Sequence, residues 1–503
     1  MKTLNKRVMD RFKLAVIFFF SLLLTSCDKQ LDQQPISDLT ESSFYSNTND
    51  FLQAVNGVYS KLTSYPSQVL WLGEMRSDNI NAIHDGNRDW QGVNDFLPSI
   101  TTTGFVLNAW RDNFNGIFNA NSTLDALKTK GDVITDVALR SRLEGETRFL
   151  RAFYYFQLIR LFGPVPLISE PLSAEEVTTV PRSNPEAVYP LIIEDLTFAG
   201  ENLPTSYDAS NLGRVTSNAA KALLGLVYLT RSGASYGILG PGLDSNEYDK
   251  ALALFNDVIA SDQFSLLETY ADIFNYENEN NKEVIFDVQF MSSTNGASFP
   301  SHLAPVAFWT DQKLSNAYGN GYGSSSFQVS NGLRQAYQHG GADSQDAREE
   351  FSIRLSYKSP FIQKYIDIDK RGLNGRDWPI NFIVLRYTDV LLMKAECILH
   401  GTGGTAQEAL ELVNQVRIRA GVPALTALDE DILLEERRRE FVGEGLRWND
   451  LIRFGKAVET INNWKVTDDL SNIQTIDANA LIYPLPAEEL SVKEGLYAQN
   501  PGY

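Results

Sequence analysis

TSNAAKALLGLVYLTR, residues 216–231, is the stretch on which the fold turns. Its apolar residues Ala220, Leu223, Leu224, Val227 and Tyr228 recur at i, i+3, i+4, i+7 and i+8, the spacing that lays a stripe along one helix face. After the loop SGASYGILGPGLDSNE the period returns over 246–260 in Tyr248, Ala251, Leu252, Phe255, Val258 and Ile259. Within this pair, Leu224-Gly225-x-x-Tyr228 fits the L-G-x2-Y of a tetratricopeptide repeat, and Ala251 with Phe255 fits its A-x3-F. The loop between them is longer than the repeat normally has. Looser pairs run from about 146 to 196 (Ala152, Tyr155; Ala187, Leu191) and from about 387 to 420 (Ala409, Val413, Val416). Small residues at these points let paired helices approach closely. The pattern predicts a mostly α fold: a tetratricopeptide-like helical scaffold with long irregular loops and a few short strands.

Two regions break the helical period. Residues 66–108 are rich in Asn, Asp, Gly and Trp, and residues 291–345 in Gly, Ser, Asn and Tyr. The second follows EVIFDVQF, where Val284, Phe286, Val288 and Phe290 alternate as in a short strand. Loops of this length inside a helical body are characteristically functional or disordered, and their aromatic content argues against disorder. Trp110 and Trp448 fall in helical patterns and read as core; Trp71 fits either role. Trp90 (NRDWQGVND) and Trp309 (AFWTDQK) read as members of polar loops, as do Tyr318 and Tyr322 (AYGNGYG). Aromatic faces beside amides and carboxylates suit a sugar, whose C–H face stacks while its hydroxyls take the hydrogen bonds. Trp90, Trp309, Tyr318 and Tyr322 are therefore the expected ligand-binding residues.

Catalytic patterns fit poorly. GASYG (233–237) matches G-x-S-x-G and makes Ser235 a formal hydrolase nucleophile, but a helix precedes it where a nucleophile elbow needs a strand. GTGG (401–404) lacks the spacing and the Lys-Ser/Thr of a phosphate loop. His84, His302, His339 and His400 show no metal-ligand spacing, so neither metal nor cofactor is expected. EERRREFVGEGLRWNDLIR (435–453) alternates in charge sign, which describes a paired helix, with Glu435–Arg439 at i,i+4.

At the other end, Lys2, Lys6, Arg7, Arg11 and Lys13 precede an apolar run from Leu14 to Leu24. That is the layout of a secretory signal, whose apolar core of about 7–15 residues is too short to span a bilayer. Thr25-Ser26-Cys27 then supplies small residues and a thiol, in the order of a bacterial lipobox. Residues 1–26 read as a lipoprotein signal peptide, Cys27 as the lipidated residue, and 27–42 as a polar tether. Acylation there gives more than the two lipid signals that stable anchoring takes. Cys397, the other of two cysteines, reads as a core residue. The net charge of −19, more negative still without the basic leader, repels phosphate backbones and disfavours nucleic acid as a partner.

These features occur in order with LDQQP, FLQAVNGVYSKL, GEMRSDN, AWRDNFNGIFNAN, EGETRFLRAFYYFQLIRLFGPVPLI, RYTDVLLMKAE, ALELVNQVRIRAG, ERRREFVGEGLRWNDLIR and the terminal LIYPLP…QNPGY. Together they resemble the SusD/RagB family of outer-membrane nutrient-binding lipoproteins along nearly the whole mature chain. The resemblance implies one SusD-like α-helical domain over 43–503, with ligand loops at about 66–108 and 291–345. It implies a non-enzymatic protein, lipid-anchored and outward-facing on the outer membrane, that captures an oligosaccharide, or in some members a peptide. It also implies delivery to a TonB-dependent, SusC-like barrel transporter, and a structural, ion-paired role for Arg439, Glu440 and Arg447. Ligand residues vary across the family, so the four aromatics rest on their local chemistry alone.

Overall fold

The computed structural model describes residues 44–84, 88–314, 318, 326–338, 346–357 and 359–503. Cys27, Tyr322 and His339 lie outside the described residues. The scaffold helices follow one another in chain order: α1 Gly104–Lys130, α2 Val137–Phe162, α3 Pro185–Asn202, α4 Ser217–Ser232 and α5 Tyr248–Ala260. The short helices of the second irregular region include α6 Phe299–Leu303 and α7 Val306–Asp311. Then come α8 Tyr387–Leu399, α9 Ala406–Arg419, α10 Glu430–Glu440 and α11 Arg447–Arg453. Each of α1 to α5 packs on the next, α5 packs on α8, and α8 on α9, the neighbour-on-neighbour stacking of a helical repeat. From Phe51 to Tyr503 the chain packs as one compact unit.

Local chemistry sets the helix ends. The Asp136 carboxylate accepts from the Ala138 and Leu139 N–H groups at the start of α2, satisfying donors with no partner in the first turn. Gly163, at φ +67°, ends that helix before Pro164 in a conformation that disfavours side chains with a Cβ. Gly225 of α4 has a different reason to be glycine. A Cβ there would lie 2.4 Å from the Phe255 ring of α5, so the L-G-x2-Y and A-x3-F elements are the two halves of one contact.

Among the described residues, six short strands form three antiparallel pairs: β1 Val165–Pro166 with β2 Arg182–Ser183, β3 Val284–Val288 with β6 Phe382–Arg386, and β4 Ile353–Arg354 with β5 Phe361–Ile362. The alternation in β3 does not mark a solvent-facing side: Ile285 and Asp287 are buried along with Phe286 and Val288.

The charged stretch 435–453 is largely interior. Arg348 donates to Asp346 (2.7 Å), Glu436 (2.7 Å) and Glu440 (3.1 Å). Arg386 bonds Glu440 (2.8 Å) and Glu444 (2.9 Å), and Arg419 reaches Glu283 (2.8 Å) and Glu440. Burial works against charge on Glu436 and Glu440, yet the surrounding guanidiniums hold both carboxyls down at about 2. The expected Glu435–Arg439 pair is replaced. Arg439 turns to Glu436 (2.7 Å), and Glu435 takes Arg447 (2.8 Å). Glu435 is taken by a partner from α11 and Arg439 by an i,i+3 neighbour already in the buried network, and an i,i+4 pair worth only about 0.2–0.5 kcal/mol does not hold them.

Candidate functional site

The two irregular regions meet. Ile80 and Val329 form an antiparallel bridge, flanked by hydrogen bonds from Asn81 N–H to the Gln328 carbonyl (2.9 Å) and from Ser330 N–H to the Asn79 carbonyl (2.8 Å). The segment GEMRSDN is pinned beneath this junction by its own polar groups. Arg76, fully buried, donates to the carbonyls of Val93 (3.0 Å) and Ala480 (3.1 Å) and lies 4.1 Å from the Phe96 ring centroid. Asp78 is clamped by Arg447 and Arg438, both at 2.9 Å. Asn94 donates to the carbonyls of Met75 and Ile80 and accepts from Ala82 N–H. What reads as a polar loop is thus a rigid, hydrogen-bonded shelf.

Aromatic rings fill the junction in two groups joined by α6. In the first, Trp71 stacks on Phe105 (4.5 Å), lies 4.7 Å from Phe327 and neighbours Trp90 (6.1 Å) and His302 (5.8 Å). In the second, Trp309 neighbours Trp378 (5.7 Å) and Tyr318 (6.4 Å). Ser301 accepts the Trp378 indole N–H at 2.8 Å, while His302, the next residue of α6, faces Trp71. Burial, with the Arg376 charge adding to it, pushes the His302 imidazole down to about 4, so it is a neutral ring at physiological pH.

The four expected contact residues divide. Trp90 sits on the short helix Asp89–Asn94 and is 5% exposed; Trp309 sits on α7 and is 0% exposed. Both indoles are packing elements inside the junction, a correction to their reading as open loop residues. Their polar neighbours Asp89 and Asp311 face solvent on the other side of the same short helices. Tyr318 is half-buried, donates its hydroxyl to the Gly372 carbonyl (2.7 Å) and carries the Arg371 guanidinium 5.7 Å from its ring. Tyr318 belongs to the Trp309 group, so the structure brings three of the four into one junction.

Sequence reading passed over Trp378, His302 and Phe327. Trp378 had a usable signal: it precedes Pro379, which favours extended backbone, and it bridges Ala297 as a strand residue would. His302 and Phe327 carried none, because their ring partners are distant in sequence. Ser235 lies in the turn after α4, with no strand before it, and its N–H donates to Asp244 (3.3 Å). Among the described residues no group of three or more His, Cys, Asp or Glu is placed to hold a metal ion.

Residues 344–503 match the model of the SusD family, and residues 29–229 match a model described as starch-binding, associating with the outer membrane. A SusD-like protein of Bacteroides ovatus is 28% identical over 89% of this chain and 83% of its own. A solved laminarin-binding SusD-like protein is 27% identical, with a TM-score of 0.74 over 91% of this chain and all of that one. A surface glycan-binding protein of Bacteroides uniformis is 25% identical, with a TM-score of 0.75 over 90% of this chain and 99% of that one.

Proposed function

The chain belongs to the SusD/RagB family, and on that premise we propose that it is a non-catalytic surface protein that binds oligosaccharide or polysaccharide nutrients. The observation that carries the reading is the likeness to the laminarin-binding protein over 91% of this chain and the whole of that one. The site is the aromatic junction. Trp90 and Trp309 stiffen it from within, and Tyr318, its half-exposed ring, is the ligand-facing member; Tyr322 stays a proposed contact on its local sequence chemistry alone. Such a bed needs no catalytic group. Flat rings take the sugar's C–H face, and the neighbouring polar side chains take its hydroxyls.

Captured glycan passes to a SusC-like TonB-dependent barrel in the outer membrane, and acylated Cys27 anchors the chain on the outward face. Binding is mild on this reading, because what is captured must be released into the pore.

Native affinity electrophoresis through gels carrying laminarin, starch or other neutral polysaccharides tests the function. Retardation in at least one gel, lost in Tyr318→Ala at an unchanged melting temperature, is the expected result. No retardation across the panel, with peptides recovered from the purified protein, would overturn it in favour of peptide capture. Trp309→Ala is the wrong probe. Removing a fully buried indole costs roughly 3–5 kcal/mol of stability and confounds binding with folding.

A further inference from the structure

A cleft of about 940 Å³, near the upper end of the sizes that hold small ligands, opens beside the turn Ala271–Phe274 and the β4–β5 pair. Its walls are aromatic. Phe351 and Tyr276, both half-buried, are the rings open to it, while Phe274, stacked on Phe351 at 5.8 Å, and Phe308 are buried behind them. The Tyr276 hydroxyl is bound to the Tyr365 carbonyl at 2.8 Å, which fixes the ring and leaves it half-buried. At the base, Lys364 is neutralised by Glu444 (2.7 Å) and Arg419 by Glu283 (2.8 Å). The described lining is otherwise rich in acceptors, with the carboxylates of Asp272, Glu350 and Asp367 and the Asn275 side chain, and Arg354 is its one exposed cation among the described residues.

We propose that this cleft is a second saccharide site, separate from the loop junction, for an uncharged sugar. The half-buried Phe351 and Tyr276 rings offer faces to sugar C–H groups, and the carboxylates accept from hydroxyls in charge-assisted hydrogen bonds. The same carboxylates repel uronate and sulfate groups, so anionic glycans are excluded. The site sits where a long glycan gains from it. Phe308 and Trp309, both buried, are consecutive on α7 with their rings 5.0 Å apart, so one short helix backs both the cleft and the junction. A polymer that engages both is held by effective concentration without either site being tight.

The test reads the cleft directly. The mature chain labelled with para-fluorophenylalanine gives a fluorine resonance for Phe351, assigned through Phe351→Leu. Glucose, galactose, mannose and xylose are each titrated to about 100 mM, enough to populate a site of millimolar Kd. The expected result is a saturable shift of the Phe351 resonance with at least one of these sugars, lost in the Asp272→Ala/Glu350→Ala variant at an unchanged melting temperature. A resonance that stays fixed across all four sugars overturns the proposal. So does a shift produced by glucosamine or arginine amide alone, which would mark a cation site. Because retention in polysaccharide gels is read through Tyr318 and this site through Phe351, either can fail while the other stands.

Discussion

Two buried aspartates show how little a residue's identity fixes its chemistry. Burial opposes ionisation of Asp78, but Arg438 and Arg447 beside it hold its carboxyl down at about 2. Asp287, just as buried on β3, is met by the side-chain amides of Gln289 and Asn381, and burial raises it from the usual 3.8 to about 6. Glu279, which accepts from the Asn381 N–H, is raised to about 7 by burial, with the Asp287 charge adding to it. A raised carboxyl favours the fold while protonated. Its contribution is full below pH 3.8 and declines as pH rises to about 6, by roughly 2–3 kcal/mol for Asp287. Asp287→Asn should therefore melt near wild type at pH 4 and above it at pH 7. Melting curves across that range check the sign; a constant gap between the two proteins would show that the carboxyl is not the cause. Nothing in VIFDVQF announces this, because the alternating period of a strand says which face a residue takes and not what charge waits there.

At the level of elements, the α4–α5 pair was legible because its information is local. A 3.6-residue period and two small residues specify a helix pair whatever surrounds it. Gly225 makes the packing explicit. In isolation Gly225→Ala would favour the helix by about 1 kcal/mol. Against Phe255 the added methyl must displace a buried ring, and overpacking of that kind costs about 1–3 kcal/mol. We expect a net loss of stability by urea denaturation, and a variant more stable than wild type would show that Phe255 moves aside freely. The irregular regions were harder to read. Trp90 and Trp309 looked exposed because Asp, Asn, Gln and Lys surround them in sequence, yet each lies on a short helix that turns the indole inward. A single helical turn carries too few residues for a period to declare itself.

Across the whole molecule, the buried ionic network ties β6, α9 and α10 to the charged segment around Arg348. Glu440 alone receives Arg348, Arg386 and Arg419. Glu440→Ala leaves those guanidiniums buried with one counter-charge fewer and should cost about 3–5 kcal/mol in chemical denaturation. With Glu436 and Glu440 held at about 2, the network's contribution is full above about pH 4.5 and is lost as pH falls toward 2. At the other end of the chain, Cys27→Ser should move the protein out of the outer-membrane fraction while leaving glycan retention in solution intact. Persistence of the variant in the membrane would refute lipidation at that thiol. By itself the sequence determined the helical scaffold, its strand-like interruption at β3 and, through motifs spread along the chain, the family. Those are properties of short-range period and of local residue order. Only the tertiary structure decided which indoles are buried, which carboxylates meet an arginine, and that residues near 270, 350 and 419 share one cleft. Each of those depends on pairing between distant segments, and the free energy of a buried ring or charge is set by what surrounds it in space.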